Sequence, residues 1–163
     1  KVLTYDTPFS FGPLGGTGDL TVHLSYDGAR VFVVQPGAPG RVYQYANLQG
    51  GYFTTPGGIE KGIMSKNGRR FITKTSQGIE TFKLPEQAPN GPVVLERLPG
   101  YLPTAMQNVT PLALSFDGNM MLALDHNGNI NLYVWVGVEW KQHVTVVTGG
   151  GDVADISRDG TYI

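Results

Sequence analysis

Asp125-His126-Asn127-Gly128-Asn129 sets three oxygen-bearing side chains at alternate positions, the spacing with which a loop wraps a calcium ion. Its glycine comes early for such a loop, and no glutamate follows to close the coordination. An Asn-Gly pair between two strands explains the same residues as a hairpin turn, so no metal is assigned. His23, His126 and His143 are scattered, without a second histidine or carboxylate at ligand spacing, and read as ordinary strand or surface residues. Gly15-Gly16-Thr17-Gly18 and Thr148-Gly149-Gly150-Gly151 have the composition of phosphate-cradling loops. Such loops feed a helix N-terminus, whereas both of these tracts lead into expected strands. No Gly-x-Ser-x-Gly elbow occurs, and with no cysteine there is no thiol nucleophile. Asp152 and Asp155 could act as an acid pair, but sequence spacing cannot set them across a sugar cleft, and they read as solvated or turn-capping carboxylates. No catalytic residue and no cofactor is assigned, and the chain is expected to be non-enzymatic.

The bulk composition narrows the class. A chain of 163 residues fits a single domain, 1–163, with a sizeable core. Charged residues make up 15% of it, and 23 glycines with 11 prolines indicate a turn-rich all-β fold. A net charge of −1 gives no long-range pull towards phosphate backbones or anionic lipid, so nucleic acid is not an expected partner. No apolar stretch approaches the roughly 20 residues that span a bilayer, so membrane insertion is not expected. The absence of cysteine leaves the redox compartment open. Lys1 at one end and Thr161-Tyr162-Ile163 at the other read as cut ends. Asn108-Val109-Thr110 is a glycosylation acceptor triplet, relevant only in a secreted eukaryotic chain.

The elements that must position any site come from a repeat. Ser-x-Asp/Asn-Gly occurs as Ser25 to Gly28, Ser65 to Gly68, Ser115 to Gly118 and Ser157 to Gly160, the glycines being 40, 50 and 42 residues apart. Periods of this size belong to propeller blades. The residue before each serine is apolar (Leu24, Met64, Leu114, Ile156), as is the third after each glycine (Val31, Phe71, Met121, Ile163). Two apolar runs around Asp-Gly or Asn-Gly predict a hairpin with a type I′ turn, in which both central residues need positive φ. A third strand follows, with an apolar residue three before an aromatic one: Val42 and Tyr45, Ile79 and Phe82, Ile130 and Tyr133. A spacing of three puts the two on opposite faces, so both faces must be covered. No helical periodicity exceeds a single turn.

The strands predicted for blade one are 19–25, 30–35, 41–46 and 51–55. Blade two takes 59–65, 70–75, 79–84 and 93–98, with a Pro-rich connection at 85–92. Blade three takes 110–115, 120–125, 129–136 and 140–147. A fourth blade starts at Asp152, and its third strand is expected to be Lys1 to Tyr5 at the other end. The expected fold is therefore an all-β β-propeller of antiparallel four-stranded blades, three complete and one split between the N- and C-termini.

Leu114-Ser115-Phe116-Asp117-Gly118, then Leu122-Ala123-Leu124, then Ile130-Asn131-Leu132-Tyr133-Val134-Trp135 with Gly137 and Trp140, resembles the WD40-like and FG-GAP-like propeller repeats. Blade one is similar through Val31 to Val34 and Val42 to Tyr45 but lacks the tryptophans, and blade two is the most degenerate. The resemblance implies a propeller of the kind found in phage virion, bacterial and cell-surface proteins. It carries no calcium site, because the alternate acidic residues of FG-GAP loops are missing. Trp135 and Trp140, which could stack on a sugar, match the repeat and read as blade packing.

The expected role is a structural or protein-interaction module, a virion (phage tail or capsid) or extracellular surface component, with protein partners or a homo-oligomer. Carbohydrate binding by a lectin-like or adhesin propeller is the first alternative and a propeller-type hydrolase the second. Contact residues are expected on the rim of the second turns, namely Gln35, Gln77, His126 and Asn127, because loops on a rigid scaffold carry recognition.

Overall fold

The computed structural model describes residues 13–44, 51–87, 89–98, 106–149, 153–158, 160, 161 and 163. Among the described residues twelve strands form three sheets around short turns, antiparallel apart from one pair. In blade one, β1 (Thr21–Leu24), β2 (Arg30–Val34), β3 (Arg41–Gln44) and β4 (Phe53–Thr54) follow one another across the sheet. Blade two holds β5 (Lys61–Met64), β6 (Arg70–Thr75) and β7 (Gly78–Lys83). Blade three holds β9 (Thr110–Leu114), β10 (Met120–Leu124), β11 (Ile130–Trp135) and β12 (Trp140–Val147). The architecture is that of a β-propeller, as the repeat implies. The expected third strand of the split blade, Lys1 to Tyr5, lies outside the described residues, as does Tyr45.

The central strands β2, β6, β7, β10 and β11 bury residues on both faces, because neighbouring elements pack against each side of the sheets. Phe32, Val34, Val42 and Phe53 of blade one meet Met64, Phe71 and Phe82 of blade two. Ile63, Ile72 and Ile79 face the other way, against Leu114, Met121, Tyr133 and Trp140 of blade three. Ile79 and Phe82 thus enter different cores, as do Ile130 and Tyr133. The period-two alternation of a strand makes this division unavoidable. Gly62 allows blade two to close on blade one, since a Cβ there would stand 2.8 Å from Phe32 and 2.9 Å from Val34.

Trp140 crosses from blade three to blade two, where its indole N–H donates to Thr81 Oγ1 at 2.9 Å in a buried setting. Trp140→Phe keeps most of the ring but leaves that hydroxyl without its donor. A loss of about 1–3 kcal/mol in urea unfolding is expected. With Trp135 packed edge to face on Trp140 at 5.4 Å, both tryptophans serve blade packing.

Two expectations are corrected. Residues 93–98 do not form the fourth strand of blade two. Val93–Val94 (β8) instead runs parallel to β4 as a fifth strand of blade one's sheet, with Val93 N–H on Tyr52 O at 3.0 Å and Leu95 N–H on Thr54 O at 2.8 Å. The segment returns to blade two at Arg97, which bridges to Phe82, and Leu98, whose N–H donates to Thr81 O at 2.9 Å. The outer edge of β4 offers unpaired backbone groups that a passing segment can satisfy. The fourth repeat, expected to begin a strand at Asp152, has no strand among its described residues. Its Ile156 is nonetheless buried against Leu122, Ile130 and Leu132 on the far face of blade three.

The opposite face of blade one is partly open. Val22 and Leu24 share a face with Val33 and Val31 through the β1–β2 register. Leu14, Ala38 and Tyr43 cover Val33, while Leu24 remains 64% exposed. Its counterparts Met64 and Leu114 are buried by the preceding blade.

Candidate functional site

The first three Ser-x-Asp/Asn-Gly turns are built alike. The Ser25 hydroxyl donates to Asp27 Oδ1 (2.6 Å) and accepts the Arg30 N–H (2.9 Å), while Asp27 Oδ1 also accepts the Ala29 N–H (3.0 Å). Ser65 with Asn67, Arg69 and Arg70 repeats the pattern, and so does Ser115 with Asp117, Asn119 and Met120. In the fourth turn Gly160 N–H donates to Ser157 O at 3.0 Å, as Gly28, Gly68 and Gly118 do to their own serines. The serines of the first three turns are buried, and the third residue of each is spent inside its turn.

This geometry corrects the expected type I′ turn. Among the described residues no non-glycine has positive φ, and only the closing glycine enters the left-handed region, at 70° for Gly28, 69° for Gly68 and 75° for Gly118. The buried serine and the aspartate or asparagine hold a wider loop, so the residue before glycine keeps an ordinary backbone.

The first three turns are bonded in succession. Tyr26 N–H donates to Lys66 O (2.6 Å) and Asn67 N–H to Phe116 O (2.9 Å). Arg30 Nη1 donates to Asn67 O at 3.2 Å. Arg70 Nη1 reaches Gly118 O at 2.9 Å and Asn119 Oδ1 at 2.8 Å, with its guanidinium 5.5 Å from the Trp135 ring centre. Burial lowers Arg70 below its usual pKa against the opposing pull of Asp117.

This stacking brings the second residues of all four turns together. Tyr26 and Phe116 meet edge to face at 6.3 Å between centroids. The Arg158 guanidinium lies 4.8 Å from the Tyr26 ring centre and 4.7 Å from that of Phe116. Lys66 Nζ donates to Asp155 Oδ2 (2.9 Å) and Ile156 O (3.0 Å) on the approach to the fourth turn. Tyr26 is 70% exposed. The result is an aromatic and cationic surface fixed on main chain that the turns themselves bond.

Two carboxyl groups beside it, Asp27 and Asp117, have lowered pKa values. Bonds from the Ser25 hydroxyl and the Ala29 N–H lower the Asp27 pKa. Burial pushes Asp117 up, but the Asn119 and Ser115 donors outweigh it and hold the carboxyl below 3.8.

The expected rim lies at the other end of the second strands. Gln77, His126 and Asn127 are exposed there, and no contact brings them into one cluster. Gln35 is engaged by the connection into β1: its Oε1 accepts Gly16 N–H (3.3 Å) and its Nε2 donates to Gly18 O (3.2 Å). The Gly15 to Gly18 tract is thus folded onto the second turn of blade one and leads into a strand. His23 is largely buried against Phe32 at 6.1 Å, and that burial lowers its pKa.

The Asp125 loop is a turn saturated by its own donors. Asp125 accepts the N–H groups of Asn127 (2.8 Å) and Asn129 (2.9 Å) and the side-chain amides of Asn129 (3.1 Å) and Asn131 (3.0 Å). Among the described residues no group of three or more histidines or carboxylates could hold a metal. Led by the Asn129 N–H bond, these contacts lower Asp125 from 3.8 to about 2. A depressed carboxyl contributes stability that is complete above its unfolded pKa and lost as pH falls through the folded value. The gap in melting temperature between the protein and Asp125→Asn is therefore expected to be constant above about pH 5 and to change between there and pH 2.

Second-position residues of the repeat were not singled out in the sequence, because they differ in type: Tyr26, Lys66, Phe116 and Arg158. Their shared place in the phrase, all four large and either aromatic or cationic, was the available signal.

A scan of protein-family models finds no match to the chain, and neither does a search of curated proteins. Solved structures do match. The β-propeller domain of Cps50 (Swd1) from Myceliophteria thermophila is similar at a TM-score of 0.55 and 15% identity, over 83% of this chain and 44% of that one. A Bacteroides uniformis protein assigned as a 6-phosphogluconolactonase is similar at 0.53 and 17%, over 90% and 47%. The chain spans less than half the length of these neighbours, and at such identity the likeness shows the fold alone. The expectation of a non-enzymatic chain is overturned here. It rested on the lack of a catalytic motif, and a propeller assigned as a lactonase stands among the neighbours, so neither fold nor missing motif separates this chain from enzymes.

Proposed function

We propose that the chain is an interaction module of the β-propeller class that presents the mouth ringed by its Ser-x-Asp/Asn-Gly turns to a protein partner. The observation that carries this reading is the meeting of Tyr26, Lys66, Phe116 and Arg158 from four repeats in one exposed cluster. Tyrosine and arginine are the side chains that dominate binding energy at interfaces, and rigid placement lowers the cost of ordering them. Turn-to-turn bonds supply that rigidity.

Crosslinking in the native host, followed by affinity measurement on the captured partner, tests it. Tyr26→Ala is expected to weaken the partner by about tenfold or more. Gln77→Ala and Asn127→Ala, on the opposite rim, should leave it unchanged. A loss confined to the opposite-rim variants would overturn the reading.

The Bacteroides uniformis neighbour favours a second reading, hydrolysis of a sugar lactone. Acid release from 6-phosphogluconolactone faster than the spontaneous rate would carry it, and release at the spontaneous rate would remove it.

A further inference from the structure

Arg158 differs from every other arginine in the chain. Arg30, Arg41, Arg69, Arg70 and Arg97 each donate a hydrogen bond to an oxygen: Asn67 O, Pro13 O, Glu86 Oε1, Gly118 O and Glu80 Oε1. Arg158 has no such acceptor among the described residues. What it has instead is aromatic contact, with its guanidinium carbon 4.8 Å from the Tyr26 ring centre and 4.7 Å from the Phe116 ring centre.

The two kinds of contact leave different parts of the group free. Aromatic rings attract a guanidinium through its charge and offer no oxygen acceptor, so N–H donors remain for an oxyanion. In the three turns whose third residue is described, that side chain bonds back to its own serine, so it is not the second residue's partner. Asp155, three residues before Arg158 in the chain, is paired with Lys66. Arg158 is therefore a cation positioned by two rings, at an exposed point of the mouth, with its hydrogen-bonding capacity unspent.

We infer that Arg158 is an oxyanion receptor, taking a carboxylate or phosphate group on its planar N–H donors. Two parallel N–H bonds fit either anion, and prior positioning of the guanidinium removes part of the ordering cost. Tyr26 and Phe116 act as positioning residues. The inference rests on the proposed mouth and names what a partner must carry there, an acidic side chain, a chain-terminal carboxylate or a phosphate.

The test uses the whole protein and defined probes. The side-chain Nε–H resonance of Arg158 is followed by NMR during titration with inorganic phosphate, acetate and hexaglutamate at constant ionic strength. A saturable shift with phosphate alone identifies a phosphate-bearing ligand; saturation with acetate and hexaglutamate identifies a carboxylate. Affinity is measured in parallel by calorimetry. Arg158→Gln should abolish binding, and Arg158→Lys, which keeps the charge but loses the fork, should weaken it about tenfold. Tyr26→Leu should weaken it several-fold, and unchanged melting temperatures check that the variants fold. No saturation by any probe in the unaltered protein, or equal binding by Arg158→Gln, overturns the inference. Anion binding that persists while Tyr26→Ala leaves a captured partner unaffected would keep the receptor and remove the partner reading.

Discussion

Phe71→Ala is expected to lower the unfolding free energy by about 3–5 kcal/mol, the range for deleting a fully buried aromatic side chain. Phe71 has no exposed surface and stands between Phe32, at 5.0 Å between centroids, and Phe82, at 5.3 Å. Those rings belong to different blades, so the void would open at the junction and not within one sheet. Blade two meets Phe32 there with Gly62, which has no side chain to swing into the space. Urea unfolding should show a lower midpoint with an unchanged slope. Val94→Ala, on a side chain 62% exposed, should stay within about 0.5 kcal/mol.

Gly118→Ala carries the second large effect, about 2–5 kcal/mol. Its φ of +75° costs any L side chain roughly 1–2 kcal/mol. The added methyl would also stand 2.8 Å from Arg70 Cβ and 3.2 Å from Ser65 Cβ, and crowding of this kind adds about 1–3 kcal/mol. Gly57 separates the two contributions. It has a φ of +71° and nothing within 4 Å, so Gly57→Ala should show the backbone cost alone. Equal losses at both positions would mean that the turns are not packed as tightly as described.

Most strands were legible because the phrase marks the start of each second strand and fixes the alignment of everything after it. Arg70–Thr75 and Trp140–Val147 fall at the bounds expected for them. Opposite faces for Ile79 and Phe82 followed from parity alone. The pairing of Val93 and Val94 was not legible, since two valines fit any edge, and the choice of β4 depends on where the Pro-rich connection delivers them. Turn type was misjudged for a related reason: Asp-Gly is also compatible with a wider loop, and the buried serine two positions earlier decides between them. The mouth cluster was hidden because sequence alignment exposes residues that are alike. Residues that meet across an axis need only be equivalent in position, as Tyr26 and Arg158 are.

The crossing of Val93–Val94 into the sheet of blade one sets where the protein can be cut. In a simple array each repeat contributes its own stability plus a junction with its neighbour, and an end repeat can be removed without dismantling the next. Here the chain leaves blade two, laces the margin of blade one, and returns at Arg97. A truncation at residue 57 would strip blade one of its outermost strand, and one starting at residue 59 would leave that lace with nothing to hold. The smallest fragment able to unfold in a single cooperative step should therefore contain both blades together with the Val93–Val94 strand and Arg97. A nick in 85–92 should loosen the two together.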